Sequence, residues 1–203
     1  RGGVIWTYMG PPELKPESPE HEWALVEPSQ RFTTKRLQEC NFLQAMEGGI
    51  DSSHVSWLHG SELNKDPLFK GSKGNVYNEQ DRMPLFEVEE FPGGLLIGAR
   101  RNADAGKYYW RITPWIIPWY SIIPPRAGHP LGAHAWVPID DENTYVYNWA
   151  CGYDASVPLT KEFMAKMESF TGRSADDLIP GTFKLRRNLS NDYLIDRVLQ
   201  KTA

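Results

Sequence analysis

Leu85-Phe86-Glu87-Val88-Glu89-Glu90-Phe91-Pro92-Gly93-Gly94-Leu95-Leu96-Ile97-Gly98-Ala99-Arg100-Arg101 is the stretch from which the fold is read. Apolar residues recur with a period near two on each side of Phe91-Pro92-Gly93-Gly94, a reversal signal, so it reads as strand, turn, strand. The same pattern continues outward over Lys107–Thr113, Leu131–Ile139 and Thr144–Cys151. Ala103-Asp104-Ala105-Gly106 and Asp140-Asp141-Glu142-Asn143 supply the connecting turns. Connections this short cannot hold crossovers, so an antiparallel meander is expected. The proline-broken aromatic run Trp115 to Pro125 is either a bent strand or a pocket wall.

Before the meander, residues 4–8 branch and alternate like a strand that Met9-Gly10-Pro11-Pro12 stops. Five prolines among many glutamates make residues 10–30 an extended surface connector. Phe32–Leu37 reads as a short strand, and Glu39–His59 as a helix weakened by Gly48-Gly49. Polar residues 60–80 read as a long loop. After the meander, Thr160 is a natural N-cap for a helix carrying Phe163, Met164, Met167 and Phe170, and a last helix starts near Asn191. The expected class is α+β: a curved antiparallel sheet with helices against one face.

Composition narrows the function. The 203 residues carry a net charge of -4, which disfavours a nucleic-acid or anionic-membrane partner. No apolar run approaches the roughly 20 residues that a membrane helix needs. Cys40 and Cys151 are the only cysteines, which excludes a disulfide framework, a four-cysteine zinc site and a thiolate cage, and fits a reducing, cytoplasmic compartment. The chain opens at Arg1 beside an apolar stretch and its last helix meets the chain end without a C-cap, so a longer parent chain is expected.

Chemistry concentrates in Asn41-Phe42-Leu43-Gln44-Ala45-Met46-Glu47-Gly48-Gly49-Ile50-Asp51-Ser52-Ser53-His54-Val55-Ser56-Trp57-Leu58-His59. On an ideal helix Glu47, Asp51 and His54 form one stripe, whereas His54 and His59 lie about 140° apart. The two imidazoles can share a metal only if the helix bulges, bends or ends between them. Two histidines and one carboxylate are the minimal face of a non-heme Fe(II) centre with open positions, and the carboxylate can come from Asn191-Asp192-Tyr193-Leu194-Ile195-Asp196-Arg197. The plain alternative is a surface or capping pair of histidines.

His129 and His134 repeat the five-residue spacing in an extended context, and read as loop and sheet residues, His134 toward the cavity. Arg100, Arg101, Arg111 and Arg126 are candidates for holding a substrate carboxylate, with solvated or ion-paired arginines as the alternative. Trp110, Trp115, Trp119, Tyr120 and Trp136 read as core residues, some of which could line a cavity for a flat aromatic guest.

The spaced set Asn41, Gln44, Glu47-Gly48, Asp51, His54 and His59 resembles the mononuclear-iron motif of Rieske ring-hydroxylating oxygenase α-subunits, in the phthalate 4,5-dioxygenase-like branch. Gly2–Glu13, Asp66–Gly71, Trp136–Asp141 and Asn191–Arg197 are similar to that branch as well. The resemblance implies a helix-grip fold, a curved antiparallel sheet around a substrate cavity with helices packed on it. It makes His54 and His59 the iron imidazoles, Asp192 the third ligand with Asp196 the less favoured alternative, and Asp51 the carboxylate through which electrons arrive. Ser52, Arg101 and His134 are expected around the substrate.

It further implies residues 1–12 as the end of a Rieske-domain strand, 13–30 as a Pro-rich linker and 31–203 as the catalytic iron domain, incomplete at its C-terminus. The Rieske [2Fe-2S] cluster belongs to the parent subunit, since neither cysteine stands in a Rieske signature. Implied partners are a small aromatic substrate, with or without a carboxylate, dioxygen, an NAD(P)H-dependent reductase and further copies in a homotrimer or a multiple of one. Two rivals share the residues: a zinc-dependent hydrolase with Glu47 as base, and a non-catalytic helix-grip ligand-binding module.

Overall fold

Gly93 turns the chain at φ +108, a backbone conformation that residues with a Cβ rarely adopt. On either side of it run β2 (Leu85–Phe91) and β3 (Gly94–Asn102), paired from Phe91↔Gly94 to Leu85↔Arg100. The structure, a computed structural model, describes residues 1–60, 71–125, 129–154, 156, 159–169 and 174–202. β4 (Tyr108–Ile116), β5 (Tyr120–Ile122), β6 (Leu131–Pro138) and β7 (Thr144–Cys151) continue the meander, and β1 (Arg31–Gln38) adds beside β7. The seven strands lie in the order β1-β7-β6-β5-β4-β3-β2, and every pairing is antiparallel. This is an α+β fold built on one open antiparallel sheet.

Alternation along the strands sorts residues between the two faces. Tyr120, Ala133, Ala135, Trp149 and Cys151 share one face, where Trp23 and Ala24 from the short helix α1 (Glu22–Leu25) complete a buried cluster. Trp23 stacks on Trp149 at 4.4 Å between ring centroids and donates its Nε1–H to the Tyr120 hydroxyl at 3.1 Å. On the opposite face, helix α2 (Phe42–Ile50) packs Met46 against Trp136 and Val146. The Trp115 indole N–H points at the Met46 sulfur, 3.1 Å away. The register Trp115↔Ser121, Ser121↔His134 and His134↔Asn148 puts those residues on this second face with Arg101, Arg111 and Thr113.

Several expectations are corrected. Residues 4–8 form no strand, because Trp6 turns inward to stack near His21 and Trp23 instead of pairing at a sheet edge. The proline-rich segment is not purely a surface connector, since it buries Trp23 in the core. Helical elements flank both faces rather than one. Trp115 to Pro125 is a bent strand pair: β4 runs to Ile116, a cis Ile117–Pro118 bond follows, and β5 starts at Tyr120.

Part of the expected long loop is a helix, α4 (Lys73–Gln80), whose N-cap Ser72 accepts the Asn75 amide; residues 61–70 lie outside the described set, as does Arg126. Helix α5 (Lys161–Ser169) follows Thr160, whose hydroxyl caps the Phe163 amide as expected. The last helix, α6 (Arg197–Thr202), starts six residues later than Asn191, because the Asp196 carboxylate caps it at Val198 and Leu199.

Candidate functional site

The expected helix over 39–59 is two helices with a break. Asn41 caps α2 through the Leu43 amide, and the helix passes through Gly48-Gly49 to end at Ile50. Gly49 is required by packing: a Cβ there would lie 2.2 Å from the Trp136 ring. Asp51 leaves the helix at φ -73, ψ 108, so Glu47, Asp51 and His54 do not share the stripe of one ideal helix.

Helix α3 (His54–Trp57) is a single turn. The Asp51 carboxylate starts it, accepting the Ser53 amide at 2.8 Å, the Ser53 hydroxyl and the His54 amide at 3.1 Å. Burial pushes the Asp51 carboxyl up, but these three hydrogen bonds outweigh it and hold the group below the ordinary carboxylate range.

Because α3 ends at Trp57, His59 is free of the helical 140° offset. The His54 and His59 rings meet edge to face, 5.1 Å between centroids. The Nδ1 of His54 lies against the Asp51 main-chain carbonyl. A carbonyl only accepts, so Nδ1 is the donor in this contact, and Nε2 is the ring nitrogen left to face a metal. Two of the expected ligands therefore converge with donor chemistry that fits a divalent metal.

Asp192 is placed differently. It begins a run of three residues in the left-handed region, Asp192, Tyr193 and Leu194, after a 3-10 turn with an Asn188–Asn191 capping box. Its carboxylate is clamped by Arg197, and among the described residues no three His, Cys, Asp or Glu side chains stand together as a metal cage. Asp196, the alternative, is occupied as the cap of α6.

The substrate candidates fall beneath the histidine turn. Arg101 is fully buried; its Nε donates to the Asp81 carbonyl at 3.0 Å, and its Nη2 to the Ser52 carbonyl at 2.8 Å and the Ser56 hydroxyl at 3.1 Å. Arg111 donates from Nε to the Ser52 hydroxyl at 3.1 Å. Both Nη1 groups are buried with no hydrogen-bond partner among the described residues. Burial, reinforced by the neighbouring charge of Arg111, lowers the Arg101 pKa, against the pull of Tyr109, Asp81 and Asp51. His134 stands on the same face, its Nδ1 2.7 Å from the Asn148 side-chain oxygen, while His129 lies in a bend outside the strands.

Sequence reasoning raised Arg111 as a carboxylate holder but not as the residue fastening Ser52, and it missed Ser56 altogether. A lone serine within an apolar helical turn carries no signal of a partner 45 positions away.

Residues 7–203 match the family described as LigXa C-terminal domain like. The chain belongs to that family. It is 32% identical over 211 residues to the phthalate 4,5-dioxygenase oxygenase subunit of Pseudomonas putida, covering 100% of this chain and 46% of that one. It is 31% identical, again over 211 residues, to the 3-chlorobenzoate-3,4-dioxygenase oxygenase subunit of Comamonas testosteroni, covering 99% and 48%. Among solved structures it resembles dicamba monooxygenase bound to 3,6-dichlorosalicylic acid, at 12% identity and a TM-score of 0.47 over 73% of this chain and 47% of that one. The chain thus spans about half the length of the curated relatives it matches.

Proposed function

We propose that this LigXa_C-family chain is the catalytic part of a Rieske-type terminal oxygenase, which places dioxygen-derived oxygen on an aromatic carboxylate. The observation that carries the reading is the meeting of His54 and His59 across the end of a one-turn helix, with the His54 ring held against the Asp51 carbonyl. In this reading His54, His59 and Asp192 hold Fe(II), residues 31–203 are the catalytic domain, and residues 1–12 and 13–30 lead in from a Rieske domain. Ferrous iron supplies, when bound, open positions for dioxygen activation, with electrons delivered from a [2Fe-2S] cluster of the parent subunit.

The chain's own residues orient and bind. Asp51 fixes the His54 ring and offers its carboxylate, 3.8 Å from the His54 Nδ1, as the point of electron entry. Arg101 and Arg111 meet at Ser52 through Nη2 and Nε, and each keeps a buried Nη1 without a partner among the described residues. Two buried cations with spare donors call for an anion, which supports a carboxylate-bearing ring as substrate. His134, held by Asn148, stands on the same sheet face and completes the proposed substrate wall. A NAD(P)H-dependent reductase, a homotrimer or a multiple of one, and a cytoplasmic setting complete the proposal; among the described residues no helix is long and apolar enough to cross a membrane.

The oxygenase reading stands ahead of the zinc hydrolase and the binding module because the relatives named above are oxygenase subunits. Anaerobic loading with Fe(II) followed by nitric oxide tests it. The expected result is an iron–nitrosyl EPR signal that disappears in His54→Ala and His59→Ala. Tight zinc with esterase or amidase turnover, or iron uptake indifferent to both substitutions, would overturn it.

A further inference from the structure

We infer that Arg101 and Ser56 are positioning residues that hold the histidine turn in its metal-binding shape, an inference resting on the metal reading of His54 and His59. One nitrogen, Arg101 Nη2, has two hydrogens and uses them on the Ser52 carbonyl and the Ser56 hydroxyl, residues two before and two after His54. The segment 52–56 is thereby pinned at both ends to a single atom of strand β3. Arg111 adds a third tie from β4, through the Ser52 hydroxyl.

The strut is rigid because its base is held. Arg101 and Ser56 are 0% and 1% exposed, and the Nε of Arg101 is seated on the Asp81 carbonyl. Asp81 is in turn locked to the β3 terminus, its carboxylate accepting the Asn102 amide and side chain at 2.8 Å each. A four-residue helix has too few internal hydrogen bonds to fix its own orientation, so the sheet must supply it. The seating of His54, and with it the turn that leads to His59, therefore depends on the Arg101 guanidinium.

Cobalt(II) titration of the full chain, followed by its visible ligand-field absorption without substrate, tests the assignment. Arg101→Gln is expected to weaken binding about 10- to 100-fold and Ser56→Ala about threefold, each with an altered absorption band, in line with the loss of outer partners of metal ligands. Far-UV circular dichroism on the same samples gives the folded fraction. Unchanged affinity and band in both variants overturn the inference, as does weakening that only tracks the unfolded fraction. His54→Ala separates this from the parent reading: if it also leaves cobalt binding intact, the metal centre itself fails, whereas its loss beside an unaffected Ser56→Ala and Arg101→Gln condemns the strut alone.

Discussion

Arg197 grips the Asp192 carboxylate from two nitrogens, Nε at 3.0 Å from Oδ2 and Nη2 at 2.6 Å from both oxygens. Both side chains are more than half exposed, at 54% and 63%, so water screens the pair and its worth is at most about 1 kcal/mol. If Asp192 is the third metal ligand, Arg197 competes with the metal for it. Arg197→Ala is expected to tighten metal binding by no more than about fivefold, while Asp192→Ala weakens it by more; chelator competition measures both.

The backbone beside that pair carries strain. Asp192, Tyr193 and Leu194 sit at φ 49, 55 and 51, where each residue with a Cβ costs roughly 1–2 kcal/mol. Leu194 is 63% exposed, so little packing is lost on its removal. Leu194→Gly is expected to stabilise the fold by about 1 kcal/mol, read from urea denaturation.

Gly49 predicts the reverse. Its missing Cβ is the clearance for Trp136, itself wedged against Met46 and Val146. Gly49→Ala should destabilise by about 1–3 kcal/mol through overpacking, and shift the near-UV circular dichroism of the tryptophans.

His21 makes stability depend on pH. Burial among Trp6, Trp23 and Tyr120 lowers its pKa from the ordinary 6.5, and the adjacent Glu22 only partly opposes this. The unfolded chain then takes up the proton at higher pH than the folded one. The contribution is present above 6.5 and is lost as pH falls from there toward the folded value. The thermal midpoint should drop over that interval in the parent chain and drop less in His21→Phe.

Asp51 acts lower on the scale. Its pKa is held below the ordinary 3.8, so the stability it lends is complete above that value and is lost as pH falls through the folded value. Asp51→Asn should remove this acid dependence at a cost of about 1 kcal/mol as a weakened cap, and speed hydrogen exchange at the Ser53 and His54 amides.

Strands β2 to β4, β6 and β7 were legible because alternation and turn residues are local: Phe91-Pro92-Gly93-Gly94 reads as a reversal whatever surrounds it. β5 was not, since three residues between prolines leave too short a window for a period. The helix break at Asp51 was hidden for a related reason. Residues 41–59 hold no proline, and what ends α2 is a carboxylate turning back to cap the next turn.

Local chemistry in the chain thus determined the antiparallel sheet, the candidate histidines and the requirement that a helix bulge, bend or end between them, because periods, caps and spacing act over a few residues. Tertiary packing alone decided that Arg101 spends its donors on Ser52 and Ser56, and that Arg111 spends one on Ser52. Those contacts join residues 45 to 59 positions apart in the chain, and only burial against a common sheet selects among the partners their chemistry would allow.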